Sequence, residues 1–171
     1  MNFHFLFPRV ATFAFAIVAL SSAARADDCS TILNAMIAQA KTSYASTIDS
    51  TIPGLPADRS EMVVAGGKMY MHANGTWTSS TWSAQDMIDL LTAASKKTKM
   101  TCQKLGPETV DGQSATLYSE KHAADAGAGE SRVWISDRTG LPLKSNTNLG
   151  KGGSMSASFQ YEGVKPPAGV N

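Results

Sequence analysis

The sequence predicts an α+β domain in which a long antiparallel sheet carries two helices. Two stretches, residues 30–42 and 83–97, show the apolar spacing of amphipathic helices. Most of the rest divides into strand-length segments, several of them joined by glycine-containing turns. We expect about seven or eight strands in a sheet that twists and curls, with the helices covering its concave face.

The amino-acid composition excludes several classes of protein. The chain has 171 residues, enough for one domain, and 43% of them are hydrophobic against 17% charged. This balance excludes a disordered tail protein. The formal net charge is only +1, so the chain lacks the basic excess with which nucleic-acid binders hold a phosphate backbone.

The first segment, residues 1–26, has the features of a cleaved secretory signal peptide. An apolar run from Val10 to Leu20 is followed by small and polar residues ending in Ala24-Arg25-Ala26, an A-x-A cleavage pattern. A permanent membrane helix needs about 20 apolar residues, more than this run provides. The signal predicts export to the periplasm of a bacterium, with residues 27–171 forming a single mature domain and no stable membrane span.

Export changes how the two cysteines are interpreted. In an oxidising compartment Cys29 and Cys102 are expected to form a disulfide, which the chain-entropy relation values at about 4 kcal/mol. Two alternatives are a pair of buried free thiols and a lipid anchor on Cys29. Lipidation requires small apolar residues just before the cysteine, whereas Asp27 and Asp28 stand there.

The first predicted helix is followed by a predicted strand. Apolar residues recur at helical spacing over residues 30–42, namely Ile32, Leu33, Met36, Ile37 and Ala40. Asp28 or Ser30 is expected to cap the start of this helix. Residues 44–51 then turn to β-branched and small side chains and predict a first strand, which Pro53-Gly54 ends.

Two tight turns allow a strand register to be worked out. Gly66-Gly67 joins residues 61–65 to 68–72, and Asn74-Gly75 leads into residues 76–79. The first turn pairs Val64 with Met69 and Met62 with Met71, and side-chain alternation places these four on one face. The other face then carries the pairs Val63 with Tyr70, Glu61 with His72, and His72 with Trp77.

The second helix is predicted over residues 83–97. It opens with Ser83-Ala84-Gln85-Asp86, which is similar to a capping box, and Met87, Leu90, Leu91 and Ala94 form its apolar face. Five further strands are then predicted, at residues 100–105, 114–121, 132–136, 141–147 and 154–161. In the last of these, Met155, Ala157, Phe159 and Tyr161 are expected to point inward.

Motifs for catalysis or metal binding are lacking, so we expect no enzyme activity, cofactor or metal. The chain has no G-x-S-x-G, H-E-x-x-H or Walker-type loop. A hydrolase remains an alternative if a serine or aspartate lies within reach of His72 or His122. Met62, Met69 and Met71 could suit Cu(I), but the register places His72 on the opposite face.

The methionines admit a further interpretation besides ordinary core packing. Flexible apolar side chains along a curved sheet can adapt to varied acyl chains. The shared strand face and the stripe of the second helix predict a cavity wall for a hydrophobic ligand, consisting of Met62, Val64, Met69, Met71, Leu90 and Leu91.

The second half of the chain resembles a known group of envelope proteins. Residues 132–145, R-V-W-I-S-D-R-T-G-L-P-L-K-S, are similar to the W-I-D-x-x-T-G-L-P-L-K hairpin of the LolA/LolB-like superfamily. Residues 67–77, 110–118 and 159–164 also look like that group. The superfamily includes periplasmic lipoprotein carriers, mycobacterial lipid-binding lipoproteins and the sensor domain of RseB-type regulators.

The resemblance implies an unclosed half-barrel with helices over its concave face and a hydrophobic cavity between them. It also implies a non-enzymatic periplasmic protein that binds a lipid or a lipoprotein acyl chain, in lipoprotein or lipid trafficking. The cavity arginine of the carriers has no counterpart in a matching motif here. The alternative function is an interaction or sensor module that binds another envelope protein on the same scaffold, with a packed interior.

Overall fold

The computed structural model describes residues 26–170 except residues 82, 98 and 123–128. The two described helices are α1, Ala26–Ala40, and α2, Ala84–Lys97. The nine described strands are β1 Tyr44–Thr51, β2 Asp58–Ala65, β3 Lys68–Ala73, β4 Thr76–Ser80, β5 Met100–Val110, β6 Gln113–His122, β7 Gly129–Ser136, β8 Pro142–Gly150 and β9 Gly153–Gln160. The predicted signal peptide, residues 1–26, lies outside the described residues apart from Ala26.

All nine described strands belong to one antiparallel sheet in the order β4-β3-β2-β1-β9-β8-β7-β6-β5. The two edge strands, β4 and β5, are not paired with each other, so the curved sheet stays open as a half-barrel. The expected α+β fold is confirmed, although the expected seven or eight strands were too few. The polar segment Tyr44–Thr51 forms a full strand because β2 and β9 pair with it on both sides.

The tight turns set the register of β2, β3 and β4. Gly66 and Gly67 have φ values of 60° and 73°, and Asn74 and Gly75 have 51° and 75°. Two consecutive positive φ values define a type I′ turn, whose twist matches that of the strands it joins. The pairs Met62 with Met71 and Val64 with Met69 are therefore formed as predicted.

One face of the sheet, here called the inner face, packs against α1. Its buried core consists of Ile32 and Ala35 from α1 and Cys102, Tyr118, Val133 and Ile135 from β5, β6 and β7. The predicted disulfide between Cys29 and Cys102 is formed, with 5.1 Å between the two Cα atoms. The sulfur of Cys29 is thus used in a bond that ties α1 to β5, and not in a lipid anchor.

The opposite face, here called the outer face, has a small core of its own. Ala115, Leu117, Trp134 and Leu143 form this buried cluster. The Trp134 indole donates a hydrogen bond of 2.6 Å to Glu108 Oε2, and the Lys144 ammonium lies 5.3 Å from the ring centroid. The polar edge of the indole is satisfied while its rings are covered.

Helix α1 starts earlier than predicted. Neither Asp28 nor Ser30 caps it, because both lie within the helix that begins at Ala26. The Asp28 carboxylate instead accepts a hydrogen bond of 3.0 Å from the Lys104 backbone on β5. Asp27 and Asp28 in the first turn also suit the positive end of the helix dipole.

Helix α2 begins with the predicted capping box. Ser83 Oγ accepts a hydrogen bond from the Asp86 amide at 3.2 Å, and the Ser83 amide donates to Asp86 Oδ2 at 3.3 Å. The helix packs mainly on α1, and none of its described side chains is fully buried. Neither described helix has the length and apolar character needed to span a bilayer.

The edge strand β5 is irregular. Its pairing with β6 shifts between Lys104 and Gly106, which is a β-bulge, and Gly106 has a φ of 139°. Pro107 follows directly and has no amide hydrogen to offer. Both features lie in the middle of a strand of 11 residues.

Candidate hydrophobic binding site

The four strand residues of the predicted site share the inner face of the sheet. Met62, Val64 and Met69 are half-buried, and Met71 is 39% exposed. Their cross-strand pairing places them as a continuous block on β2 and β3, here called the methionine surface. Among the described residues, this surface is apolar and only partly covered.

The uncovered state of the methionine surface follows from where α1 lies. This helix packs on β5 through β8, whereas β2 and β3 lie beyond β1 at the other side of the sheet. The apolar side chains of the inner face are thus covered at one side of the sheet and accessible at the other.

Leu90 and Leu91 belong to α2 and are not part of the sheet surface. Leu90 is 53% exposed and Leu91 is half-buried. The helix that carries them packs mainly on α1. Their place in the predicted cavity wall stays a prediction.

Sequence reasoning missed Ser46, a polar group beside the methionine surface. This residue pairs with Met62 on β2 and with Phe159 on β9, and it is only 4% exposed. Its Oγ has no hydrogen-bond partner among the described residues. A buried hydroxyl without a partner is costly, so Ser46 has a hydrogen-bonding capacity that the described residues do not use. The sequence could not indicate that Ser46 is buried without a partner, because it is one of several small polar residues in the strand.

Aromatic side chains flank Ser46 and close that end of the inner face. Tyr44 pairs with Val64, and its ring lies 6.1 Å from Phe159 and 6.4 Å from Tyr161. The Tyr161 hydroxyl accepts a 3.0 Å hydrogen bond from Gln39 Nε2 on α1 and donates to the Pro142 carbonyl. Burial raises the pKa of both tyrosines above the ordinary value, so they stay neutral.

The residues considered for other chemistry lie elsewhere. His72 is on the outer face, where its ring stacks on Trp77 at 5.0 Å and its Nδ1 lies 4.0 Å from Glu61 Oε2. The predicted separation of His72 from Met62, Met69 and Met71 is confirmed by the register. The side chain of His122, the other histidine considered for hydrolysis, lies outside the described residues.

Two open grooves are formed mainly by outer-face residues. The first, of about 640 Å³, lies between strands β1, β2 and β9 and the turns after β5 and β7, and Met62 is the one member of the predicted site among its lining residues. The second, of about 920 Å³, lies along β1, β7, β8 and β9, and its lining includes no member of the predicted site.

Comparison with known proteins gives similarity of fold. No protein-family model matches the sequence, and a search of curated proteins finds no match. Among solved structures, the chain is similar to the lipoprotein LppX of Mycobacterium tuberculosis, with 16% identity and a TM-score of 0.49 over 82% of this chain and 99% of that one.

Two further structures show the same kind of similarity. LprF from Mycobacterium bovis has 13% identity and a TM-score of 0.47 over 84% of this chain and 98% of that one. The LolA superfamily protein NE2245 from Nitrosomonas europaea has 9% identity and a TM-score of 0.34 over 77% and 90%. At these values the likeness concerns the fold alone.

Proposed function

We propose that this chain is a non-enzymatic periplasmic protein that binds a lipid or a lipoprotein acyl chain on its methionine surface. The observation that carries the proposal is the partly exposed apolar block formed by Met62, Val64, Met69 and Met71 on the inner face. An acyl chain that covers this block removes apolar area from water, at about 0.8 kcal/mol for each buried methylene.

The features around the block suit a ligand with a polar end. Ser46 lies next to Met62 and has a buried Oγ without a partner among the described residues. An ester or amide of an acyl chain carries acceptor atoms of the kind that this unused donor requires. The unbranched, polarizable methionine side chains can adjust to acyl chains of different length.

The proposal is tested by replacing the two β3 methionines. Residues 27–171 would be purified from a periplasmic extract, and native and denatured mass spectra would be compared after organic extraction. We expect a co-purifying lipid in the unmodified protein and its loss in the Met69→Glu/Met71→Glu double variant. A direct titration with a fluorescent fatty acid should show at least about tenfold weaker binding, the loss expected when about 1.4 kcal/mol is removed.

A control for added negative charge is Ser158→Glu, which places one carboxylate on an exposed residue of the outer face of β9, against the two of the double variant. It should retain lipid as well as the unmodified protein. Circular dichroism and urea unfolding would show that the double variant is folded. A folded double variant that still retains lipid would contradict the assignment of the surface.

A protein partner on the same scaffold is the second candidate function. It is favoured by apolar side chains exposed next to the sheet, since Ile52 is 46% and Leu55 is 62% exposed in the connection between β1 and β2. Clustered exposed apolar residues are typical of interaction surfaces. Purification with a bound protein, and without extractable lipid, would favour this function over lipid binding.

A further inference from the structure

The larger outer-face groove has a composition unlike that of the methionine surface. Its floor is the outer face of β1, β7, β8 and β9, and its rim includes the turn between β8 and β9. The lining side chains are almost all polar and include Arg132, Lys144, Asn146, Lys151, Ser154 and Ser156. The groove is open to solvent and has a volume of about 920 Å³.

The charges in this groove are unequally compensated. Its two acidic residues have partners, since Asp49 Oδ1 lies 3.9 Å from Arg59 Nε and Glu130 Oε2 lies 3.7 Å from Lys121 Nζ. Those two basic partners are not among the lining residues of the groove.

The basic side chains of the groove are not neutralised in the same way. None of Arg132, Lys144 and Lys151 forms an ion pair within the part of the chain that the structure describes. Lys144 lies over the ring of the buried Trp134, so its position is fixed by packing. The groove therefore presents a net positive charge and favours an anion.

A second observation concerns a hydrogen-bond acceptor in the same groove. Arg132, Asn146 and Ser156 form a cross-strand row on the outer face. Asn146 Oδ1 is buried and has no hydrogen-bond partner among the described residues. A fully ionised phosphate group has no proton to give to this oxygen, whereas a ligand hydroxyl can donate to it.

We propose that this groove binds a phosphorylated polyol, a sugar phosphate or an inositol phosphate. The phosphate is held by the guanidinium of Arg132 and the ammonium group of Lys144, which are near neighbours on β7 and β8, and Lys151 in the turn adds to the positive field. A ring hydroxyl donates to Asn146 Oδ1, and the hydroxyl of Ser156 beside it can donate or accept. The site is on the face opposite the methionine surface and does not depend on the proposed lipid function.

The test uses calorimetric titration with three probes at low ionic strength: glucose 6-phosphate, inorganic phosphate and glucose. We expect glucose 6-phosphate to bind most tightly, inorganic phosphate weakly and glucose not measurably. Arg132→Gln should weaken binding of glucose 6-phosphate about tenfold, through the loss of a charged hydrogen bond. Asn146→Ala should lower the preference for glucose 6-phosphate over inorganic phosphate, with little change for phosphate itself.

The control variant is Lys68→Gln, which removes one positive charge from an exposed residue at the start of β3, away from the groove. It should bind glucose 6-phosphate like the unmodified protein. If Lys68→Gln weakens binding as much as Arg132→Gln does, the attraction is one of overall charge and the proposed site is wrong. Equal affinities for glucose 6-phosphate and inorganic phosphate in the unmodified protein would contradict the role of Asn146.

Vesicles distinguish a free ligand from a lipid-borne one. Sedimentation with phosphatidylcholine vesicles, with and without phosphatidylinositol, presents a phosphorylated polyol on a membrane. Binding to glucose 6-phosphate alone assigns a soluble ligand, whereas Arg132-dependent binding to phosphatidylinositol vesicles assigns a lipid head group. Absence of binding in both experiments would overturn the proposal.

Discussion

The disulfide between Cys29 and Cys102 gives a prediction whose size follows from the chain itself. The two residues are separated by 73 positions, and the chain-entropy relation for a loop of that length gives about 4.4 kcal/mol at 25 °C. A small domain has a total stability of about 5–15 kcal/mol, so this bond accounts for a large share. We expect the Cys29→Ala/Cys102→Ala variant to fold but to lose about 4 kcal/mol.

The assay is equilibrium unfolding in urea, followed by tryptophan fluorescence, to which the buried Trp134 contributes. With a slope of about 2 kcal/mol per molar urea, the midpoint should fall by about 2 M. Reduction of the unmodified protein should shift the midpoint by a similar amount, which controls for the packing lost with the cysteine side chains. A loss below about 1 kcal/mol, with the helical signal of α1 retained, would refute the argument, because it would mean that the unfolded chain is not restricted by the bond.

Three further predictions concern single side chains. Tyr161→Phe should cost about 1–3 kcal/mol in urea unfolding, because it leaves the buried Gln39 amide without its partner. The pKa of Asp137 is lowered by hydrogen bonds from the hydroxyls of Ser114 and Thr116. The ionised carboxylate therefore stabilises the folded state fully at pH values above the ordinary pKa of aspartate. This stabilisation is lost as the pH falls through the lowered pKa of the folded state. Asp137→Asn should therefore destabilise at neutral pH and have little effect in strong acid, which a urea series against pH would detect. Ala115→Leu should lower stability by about 1–3 kcal/mol in the same unfolding assay, since residue 115 is fully buried and the added carbons overfill its cluster.

The parts of the fold that local chemistry determines could be predicted from the sequence. Gly66-Gly67 and Asn74-Gly75 adopt positive φ values with little strain, so they define the turns and with them the register of β2, β3 and β4. The start of α1 could not be placed, because its first turn, Ala26-Asp27-Asp28-Cys29, has no apolar periodicity and is stabilised by contact with β5.

The features that depend on distant strands were outside the reach of sequence reasoning. The pairing of β1 with β9 forms part of the larger outer-face groove and buries Ser46. The local sequence does not indicate which distant strands become neighbours. The hydrogen bond between Trp134 and Glu108 likewise joins residues 26 positions apart on strands separated by β6. The methionine surface could be predicted because its four residues lie on one hairpin, whose register the turn determines.

An unclosed sheet has two edge strands to which a strand of another molecule could add. In this chain the edge strand β5 carries two features that oppose such pairing. Pro107 has no amide hydrogen to donate to an added strand. The β-bulge beside it, at Gly106, makes the edge strand β5 irregular, whereas strand addition needs a regular edge. The other border, β4, is only five residues long and is mostly polar. Neither border of the described sheet thus offers a long, straight and apolar template for amyloid-like growth.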